Sequence, residues 1–160
     1  MANSTFNGPI RSENGFKNIV KSSTTGAVTS TMTLETYTAT ITVANGATTG
    51  KESAVGIPAN FIPMGVTVAV TTASTNSVNL NDIGTDADTD VYVDGISAAL
   101  NTTGFKGFFG CNGVLGMSGF TTGASGLVGD EVELVVSGDP GSDTVIVLKF
   151  FGISSSSDAS

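Results

Sequence analysis

The sequence predicts an all-β fold: an antiparallel β-sandwich or jelly-roll-like barrel of roughly eight strands, with an extended N-terminal arm. Three observations predict it. The 160 residues include 23 threonines and 21 glycines, which suit exposed strand faces and tight turns. The usual helix builders are scarce, and only 12% of residues are charged. Several short segments alternate apolar and polar side chains, as in a strand with one buried face.

The first 33 residues are predicted to be the arm, residues 34–153 the sandwich, and residues 154–160 a disordered polar tail. Polar residues dominate the arm, and its large apolar residues are spaced like anchors for a groove. The net charge is −8, yet the first 21 residues carry +2, which leaves −10 on the remainder. This asymmetry is typical either of an arm that contacts an acidic or polar partner or of a solvated, flexible N-terminus. The candidate contact residues are Phe6, Ile10, Arg11, Phe16 and Lys17.

In the first half of the chain, the clearest strand is Thr36–Val43, where apolar residues alternate with four threonines. Asn45–Gly46 is a strong turn signal directly after it. Residues 51–57 are predicted to form a weaker strand. Residues 66–71 alternate valine or alanine with threonine and predict the next strand, after which Ser74–Asn76 supplies a turn.

In the second half, glycine recurs every third residue from Gly104, and large apolar residues lie between the glycines. We interpret residues 104–129 as short, glycine-kinked strands with core anchors. Residues 131–136 and 144–151 predict the two closing strands. The last strand is apolar on both faces apart from Lys149, whose charge needs a partner or a route to solvent. Its second face requires a cover, which could be the arm, a second sheet or another subunit. The predicted oligomer interface on that face is Val145, Val147 and Phe151.

The residues do not favour catalysis, and we expect a protein that is not an enzyme. Histidine is absent, which removes the usual acid–base groups and most zinc sites. Cys111, the only cysteine, is expected to be a small core residue. Asp86, Asp88, Asp90 and Asp94 are evenly spaced, but the glycine and distal glutamate of a calcium loop are missing. We therefore expect no metal and no cofactor.

Charge and hydropathy also limit the partners. The acidic body leaves no basic patch for phosphates, so we expect no nucleic acid. No apolar run reaches the length of a membrane helix, so we expect no membrane partner. The N-terminus lacks a secretory signal pattern, which predicts synthesis and folding in a cytoplasm.

The block from Ile57 to Gly95 begins with a proline-led turn and a strand that ends in Val70-Thr71-Thr72-Ala73. A second short strand is predicted at Val78–Asp82, and a loop that contains a glycine and several aspartates follows at residues 84–90. A third strand is predicted at Val91–Val93. In these features it resembles small virion proteins of tailed bacteriophages. Residues 4–16 also resemble the start of small structural proteins of marine phages. Together these two segments cover about a third of the chain.

The resemblance implies a capsid decoration, or cement, protein that binds across capsomers on the outer capsid surface and stabilises the shell. The implied partner is the major capsid protein, the implied state is a homotrimer, and the implied location is the virion after synthesis in the host cytoplasm. The alternative is a receptor- or glycan-binding head-fibre or tail-fibre module of a phage virion. A bacterial surface or pilus-like subunit is disfavoured because no secretory signal is present.

Overall fold

A computed structural model of the chain describes residues 17–21, 23–26, 28–52, 57, 61–86, 88–111 and 131–156. Every regular element within these ranges is a strand, so the predicted all-β class is confirmed. The nine strands are β1 (Lys17–Lys21), β2 (Val28–Val43), β3 (Thr49–Lys51), β4 (Phe61–Thr72), β5 (Asn79–Thr85), β6 (Ala98–Ala99), β7 (Gly104–Gly110), β8 (Val132–Val136) and β9 (Thr144–Ser156).

The strands form two antiparallel sheets. The larger sheet has the order β1-β2-β9-β4-β7, and the smaller has the order β3-β8-β5-β6. β9 lies at the centre of the larger sheet and pairs along its whole length with residues 31–43 of β2. β2 and β9 therefore form the central pair of the larger sheet; β1 pairs with the free edge of β2, and β4 pairs with the other edge of β9.

Among the described residues, one apolar core lies between the two sheets. Ile41, Val68 and Phe150 enter it from the larger sheet, while Leu80 and Leu134 enter it from the smaller one; all five are fully buried. In addition, the rings of Tyr92 and Phe150 pack in a T-shaped arrangement, with their centroids 5.5 Å apart. The fold is therefore a β-sandwich, and each sheet keeps a second face that points away from the core.

Most predicted strands are present. Residues 36–43 form the second half of β2, residues 66–71 lie within β4, residues 131–136 include β8, and residues 144–151 begin β9. The larger sheet includes residues on both sides of each predicted domain boundary. β1 and residues 28–33 of β2 precede residue 34, and residues 154–156 of β9 follow residue 153. Of the predicted glycine-kinked strands, β7 holds Gly104–Gly110; residues 112–129 lie outside the described residues.

Two predicted strands are wrong or shortened. Val91–Val93 forms only one isolated bridge, from Ile83 to Val93, because Tyr92 and Val93 both donate their N–H groups to the Ile83 carbonyl. Such a shared acceptor cannot continue as a regular ladder. Of the weaker strand at residues 51–57, only Lys51 belongs to β3, and residues 53–56 lie outside the described residues.

The predicted turn after β2 is present, and it is tied to the loop between β8 and β9. Gly46 has a φ of 82°, a left-handed conformation that glycine adopts without strain. Asp139 accepts hydrogen bonds of 2.8 Å from the N–H groups of Gly46 and Gly141, which lower the pKa of Asp139. Asp143 accepts a third bond, 2.9 Å long, from the N–H of Asn45. The loops at this end of the sandwich are therefore linked by carboxylates.

Candidate interaction surface

The outward face of the larger sheet is set by the alternation along β9. Ile146, Leu148 and Phe150 are fully buried in the core, so the residues between them point to the opposite face. The predicted oligomer interface lies on this outward face, where Val145 and Val147 are half-buried and Phe151 is 39% exposed. The three residues do share one face, while their role in an interface stays a prediction.

Lys149 lies on the same face, between Val147 and Phe151. It is exposed, and its direct cross-strand neighbours are Thr38 on β2 and Thr67 on β4. The charge that the sequence places in an apolar strand therefore has a direct route to solvent. Because Lys149 lies outside the core, it imposes no desolvation cost on folding.

Two phenylalanines of β7 extend this apolar face to the sheet edge. Phe105 and Phe108 are three residues apart and would lie on opposite faces of a regular strand. Lys106 is an extra residue in β7, because the adjacent Val68 and Ala69 of β4 pair with Gly107 and Phe105. Both rings are exposed, at 68% and 60%, so the expectation of core anchors is wrong for these two residues. The Phe108 ring covers Gly65 and meets Phe151 edge-on, at 6.1 Å between centroids.

These side chains form an open channel that we call the apolar groove. Its four large apolar members are Leu34, Met64, Phe108 and Phe151, which are 76%, 45%, 60% and 39% exposed. The groove has a volume of about 830 Å³, and its remaining lining residues are Thr33, Glu35, Thr36, Gly65, Thr67 and Gly152. An exposed apolar patch crossing four strands is typical of a protein–protein contact surface.

Three members of the groove were not predicted from the sequence. The sequence does indicate that Leu34 points outward, because it lies an even number of residues from Thr36 and Thr38 on the same strand, and these two residues point outward. For Phe108 the sequence offers no such indication, since the bulge at Lys106 of β7 interrupts the alternation of its own strand. Met64 is the extra residue of a bulge in β4, between Pro63 and Gly65, which local alternation likewise does not show.

Of the predicted arm residues, Phe6, Ile10, Arg11 and Phe16 lie outside the described residues. Lys17 is the first residue of β1 and pairs with Thr33, the neighbour of Leu34. The described chain therefore begins at the rim of the apolar groove.

On the opposite sheet, an acidic cluster surrounds β3. Lys51 forms an ion pair with Asp86, and this contact, together with a hydrogen bond from Glu133, lowers the pKa of Asp86. Glu133 is buried, which raises its pKa, and its bond to Asp86 raises it further. Glu52 is also buried and accepts a 2.8 Å hydrogen bond from the Tyr37 hydroxyl. This cluster attaches the three-residue strand β3 to β8 and to the loop after β5.

The other residues singled out from the sequence as possible metal ligands or nucleophiles are the evenly spaced aspartates and Cys111. Among the described residues, no group of three or more histidine, cysteine or acidic side chains is arranged to hold a metal ion. Asp88 and Asp90 share a hydrogen bond that raises the pKa of Asp90. Cys111 is a buried core residue, as expected, and burial raises the pKa of its thiol to about 12. Such a thiol is not an activated nucleophile.

The chain was compared with protein-family models, with curated proteins and with solved structures, and none of them matches it. Within the described ranges, no helix has the length and apolar character needed to span a membrane.

Proposed function

We propose that this protein is a capsid decoration protein of a tailed phage, which binds the major capsid protein across capsomers on the outer surface of the virion. The observation that carries the proposal is the apolar groove, an exposed contact surface on a rigid β-sandwich. The resemblance of residues 57–95 to small phage virion proteins supplies the class of partner.

The mechanism is stabilisation of the assembled shell. A small protein that binds only the assembled capsid lowers its free energy by mass action and so opposes its disassembly. Burying a large apolar side chain contributes roughly 1.5–3 kcal/mol, so the groove offers several such contributions against the cost of association. The arm residues Phe6, Ile10 and Phe16 would add further apolar contacts, while Arg11 and Lys17 would add a salt-screened charge term.

A homotrimer fits this mechanism. Val145 and Val147 continue the outward face beyond the groove and would bury against a neighbouring copy, together with Phe151. Three weak contacts on one trimer bind with an apparent affinity well above that of any single contact. Closed symmetric association of this kind is the usual state of homo-oligomers.

The test is co-sedimentation with undecorated capsids assembled from the major capsid protein encoded in the same genome. We expect wild type to sediment with the particles and Phe108→Ser/Phe151→Ser to remain in the supernatant. Phe6→Ala/Phe16→Ala should bind more weakly than Arg11→Gln/Lys17→Gln, because exposed charges are screened by salt.

Circular dichroism and thermal unfolding verify that each variant is folded. Full decoration by the folded Phe108→Ser/Phe151→Ser variant would exclude the groove as the capsid contact. Failure of the wild-type protein to bind any assembled capsid would overturn the proposed function itself.

A further inference from the structure

We infer that Asn45 is a site of self-modification, at which the side-chain amide converts to a carboxyl group, and that the loop between β8 and β9 controls the rate of this conversion. The inference goes beyond the proposed function, because it concerns a chemical change within the chain and requires no partner. It rests on the exposed Asn45–Gly46 turn, which links β2 to β3.

The reaction uses only the turn itself and water. The main-chain nitrogen of Gly46 attacks the side-chain carbon Cγ of Asn45 and closes a five-membered succinimide ring. The side-chain amide nitrogen leaves as ammonia, together with the proton that the Gly46 nitrogen loses. Water then opens the ring at either carbonyl, which leaves aspartate or isoaspartate at position 45. Glycine favours the attack because it has no Cβ atom to hinder its nitrogen, and among the described residues no partner holds the Asn45 side-chain amide.

The folded turn holds the Gly46 nitrogen in an orientation that prevents this attack. The N–H of Ala47 donates a 3.0 Å hydrogen bond to the carbonyl of Ala44, and φ is 82° at Gly46 but not positive at Asn45. These are the features of a type II turn, in which ψ of the residue at the Asn45 position is about +120°. Ring closure requires the Gly46 nitrogen to eclipse Cβ of Asn45, which this value of ψ does not allow. The peptide between Asn45 and Gly46 must therefore rotate before the ring can form.

Two carboxylates of the loop between β8 and β9 oppose this rotation. Asp139 accepts a 2.8 Å hydrogen bond from the Gly46 N–H, and Asp143 accepts one of 2.9 Å from the Asn45 N–H. Asp139 also accepts from the Gly141 N–H, so one carboxylate holds both loops. Rotation of the Asn45–Gly46 peptide breaks the bond from Gly46, and bonds to a charged acceptor are stronger than neutral ones. The conversion therefore depends on how often this end of the sandwich opens locally.

The conversion also prevents the loops from returning to their first arrangement. It adds a negative charge at position 45, next to the carboxylates of Asp139 and Asp143. Residues 44–48 and 137–143 contain no lysine or arginine, and Lys106 donates to Thr102 of another loop. Isoaspartate, in addition, lengthens the main chain of the turn by one carbon. The modified turn is therefore held less firmly, and the change is irreversible.

Mass spectrometry can follow position 45 alone. Cleavage after Lys21 and Lys51 releases a peptide in which Asn45 is the only asparagine, and the chain contains no glutamine. The other three Asn–Gly pairs, at residues 7–8, 14–15 and 112–113, lie in other peptides. During incubation at mildly alkaline pH, this peptide should gain the mass difference between an amide and a carboxyl group and separate into aspartate and isoaspartate forms. The same chain unfolded in urea gives the rate without the hydrogen bonds to Asp139 and Asp143.

Two substitutions at Asp139 separate restraint from base catalysis. Asp139→Ala removes the acceptor, and we expect Asn45 to convert about tenfold faster or more, because a lost hydrogen bond to a charged group changes an opening equilibrium by about that factor. Asp139→Asn keeps an oxygen that can accept from the Gly46 N–H, and it should convert nearly as slowly as wild type. Bonds from the N–H groups of Gly141 and Gly46 lower the pKa of Asp139, so it is a poor base for the Gly46 nitrogen.

Asp82→Ala is the matched control, because Asp82 also accepts a glycine N–H, that of Gly95, at 3.0 Å in another loop. It should leave the conversion of Asn45 at the wild-type rate. Asn45→Asp carries the charge of the product and should have a lower Tm than wild type. Circular dichroism verifies that each variant is folded.

Three results would overturn the inference. The first is an Asn45 peptide that stays unmodified in folded Asp139→Ala or in the urea-unfolded chain. The second is slower conversion in both Asp139 variants, because Asp139 would then assist the attack as a base. The third is an Asp82→Ala protein that converts as fast as Asp139→Ala, because general stability would then set the rate. An unchanged Tm for Asn45→Asp would exclude the expected loosening of the turn. Since no capsid is present, these outcomes are independent of the proposed function.

Discussion

At the scale of single residues, two buried carboxyls stand out because burial penalises the charged form of an acid. Glu52 and Glu133 are 7% and 6% exposed, and the pKa of each is raised. For Glu52 the main cause of the raised pKa is desolvation; the hydrogen bond from Tyr37 opposes it, and the charge of Glu131 makes a smaller contribution that raises the pKa. The folded chain therefore retains a proton on Glu52 at pH values at which the unfolded chain has released it.

The sign of the pH dependence follows from this difference. A carboxyl with a raised folded-state pKa causes the free energy of unfolding to fall as pH rises above its ordinary value of 4.5. Glu52→Gln removes the charge but keeps an oxygen that can accept from the Tyr37 hydroxyl. We expect this variant to be more stable than wild type at neutral pH and to show a shallower decline above pH 4.5, measured as Tm against pH. Asp94→Asn, at an exposed position, is the control and should follow wild type; an unchanged slope for Glu52→Gln would contradict the prediction.

At the scale of elements, the sequence predicted strands wherever alternation was local and uninterrupted. β2, β8 and β9 are recognisable because their apolar residues recur every second position. The bulges of β4, the two-residue β6 and the bridge at Val93 depend on partner strands, so no local pattern reveals them. The groove was only partly predictable: the direction of Phe151 follows from alternation in β9, whereas the alternation of β7 is interrupted by the bulge at Lys106, before Phe108.

The loop after β5 shows how one glycine sets an element boundary. A Cβ atom at Gly84 would overlap the backbone of Asp88 and Thr89, which the turn between Thr85 and Asp88 brings over the strand. Backbone atoms cannot move aside as a flexible side chain can. The absence of a side chain at Gly84 therefore lets the turn between Thr85 and Asp88 lie directly over the end of β5.

Gly84→Ala should therefore destabilise the protein by about 1–3 kcal/mol, as expected for overpacking, and lower Tm by several degrees. Gly138→Ala is the matched control, because its added Cβ would make only ordinary contact with Val78, at 3.7 Å. That variant should lie within about 0.5 kcal/mol of wild type. The measurement is chemical unfolding of both variants. Equal stability of the two would contradict the prediction, because it would show that the backbone of Asp88 and Thr89 moves to accommodate the added methyl group.

At the scale of the whole molecule, the two faces of the sandwich differ in kind. The outward face of the smaller sheet carries the acidic cluster, in which charges are paired or buried around Lys51. The outward face of the larger sheet exposes the apolar groove at one end and Val145 and Val147 towards the other. An apolar face opposite a charged one would give the protein a defined orientation on the capsid that we propose as its partner.

The last prediction concerns the oligomer. If Val145, Val147 and Phe151 bury against neighbouring copies, light scattering of the free protein should give three times the chain mass of 16.0 kDa, or a map of decorated capsids should show three copies in contact. Val147→Lys adds a charge to a half-buried position that points away from the core, so it should abolish the trimer and leave the Tm of the monomer nearly unchanged. Asn79→Lys adds the same charge to an exposed position of the smaller sheet and should leave the trimer intact. A Val147→Lys protein that is still trimeric would place the interface elsewhere, and a wild-type protein that is monomeric both alone and on capsids would exclude the trimer.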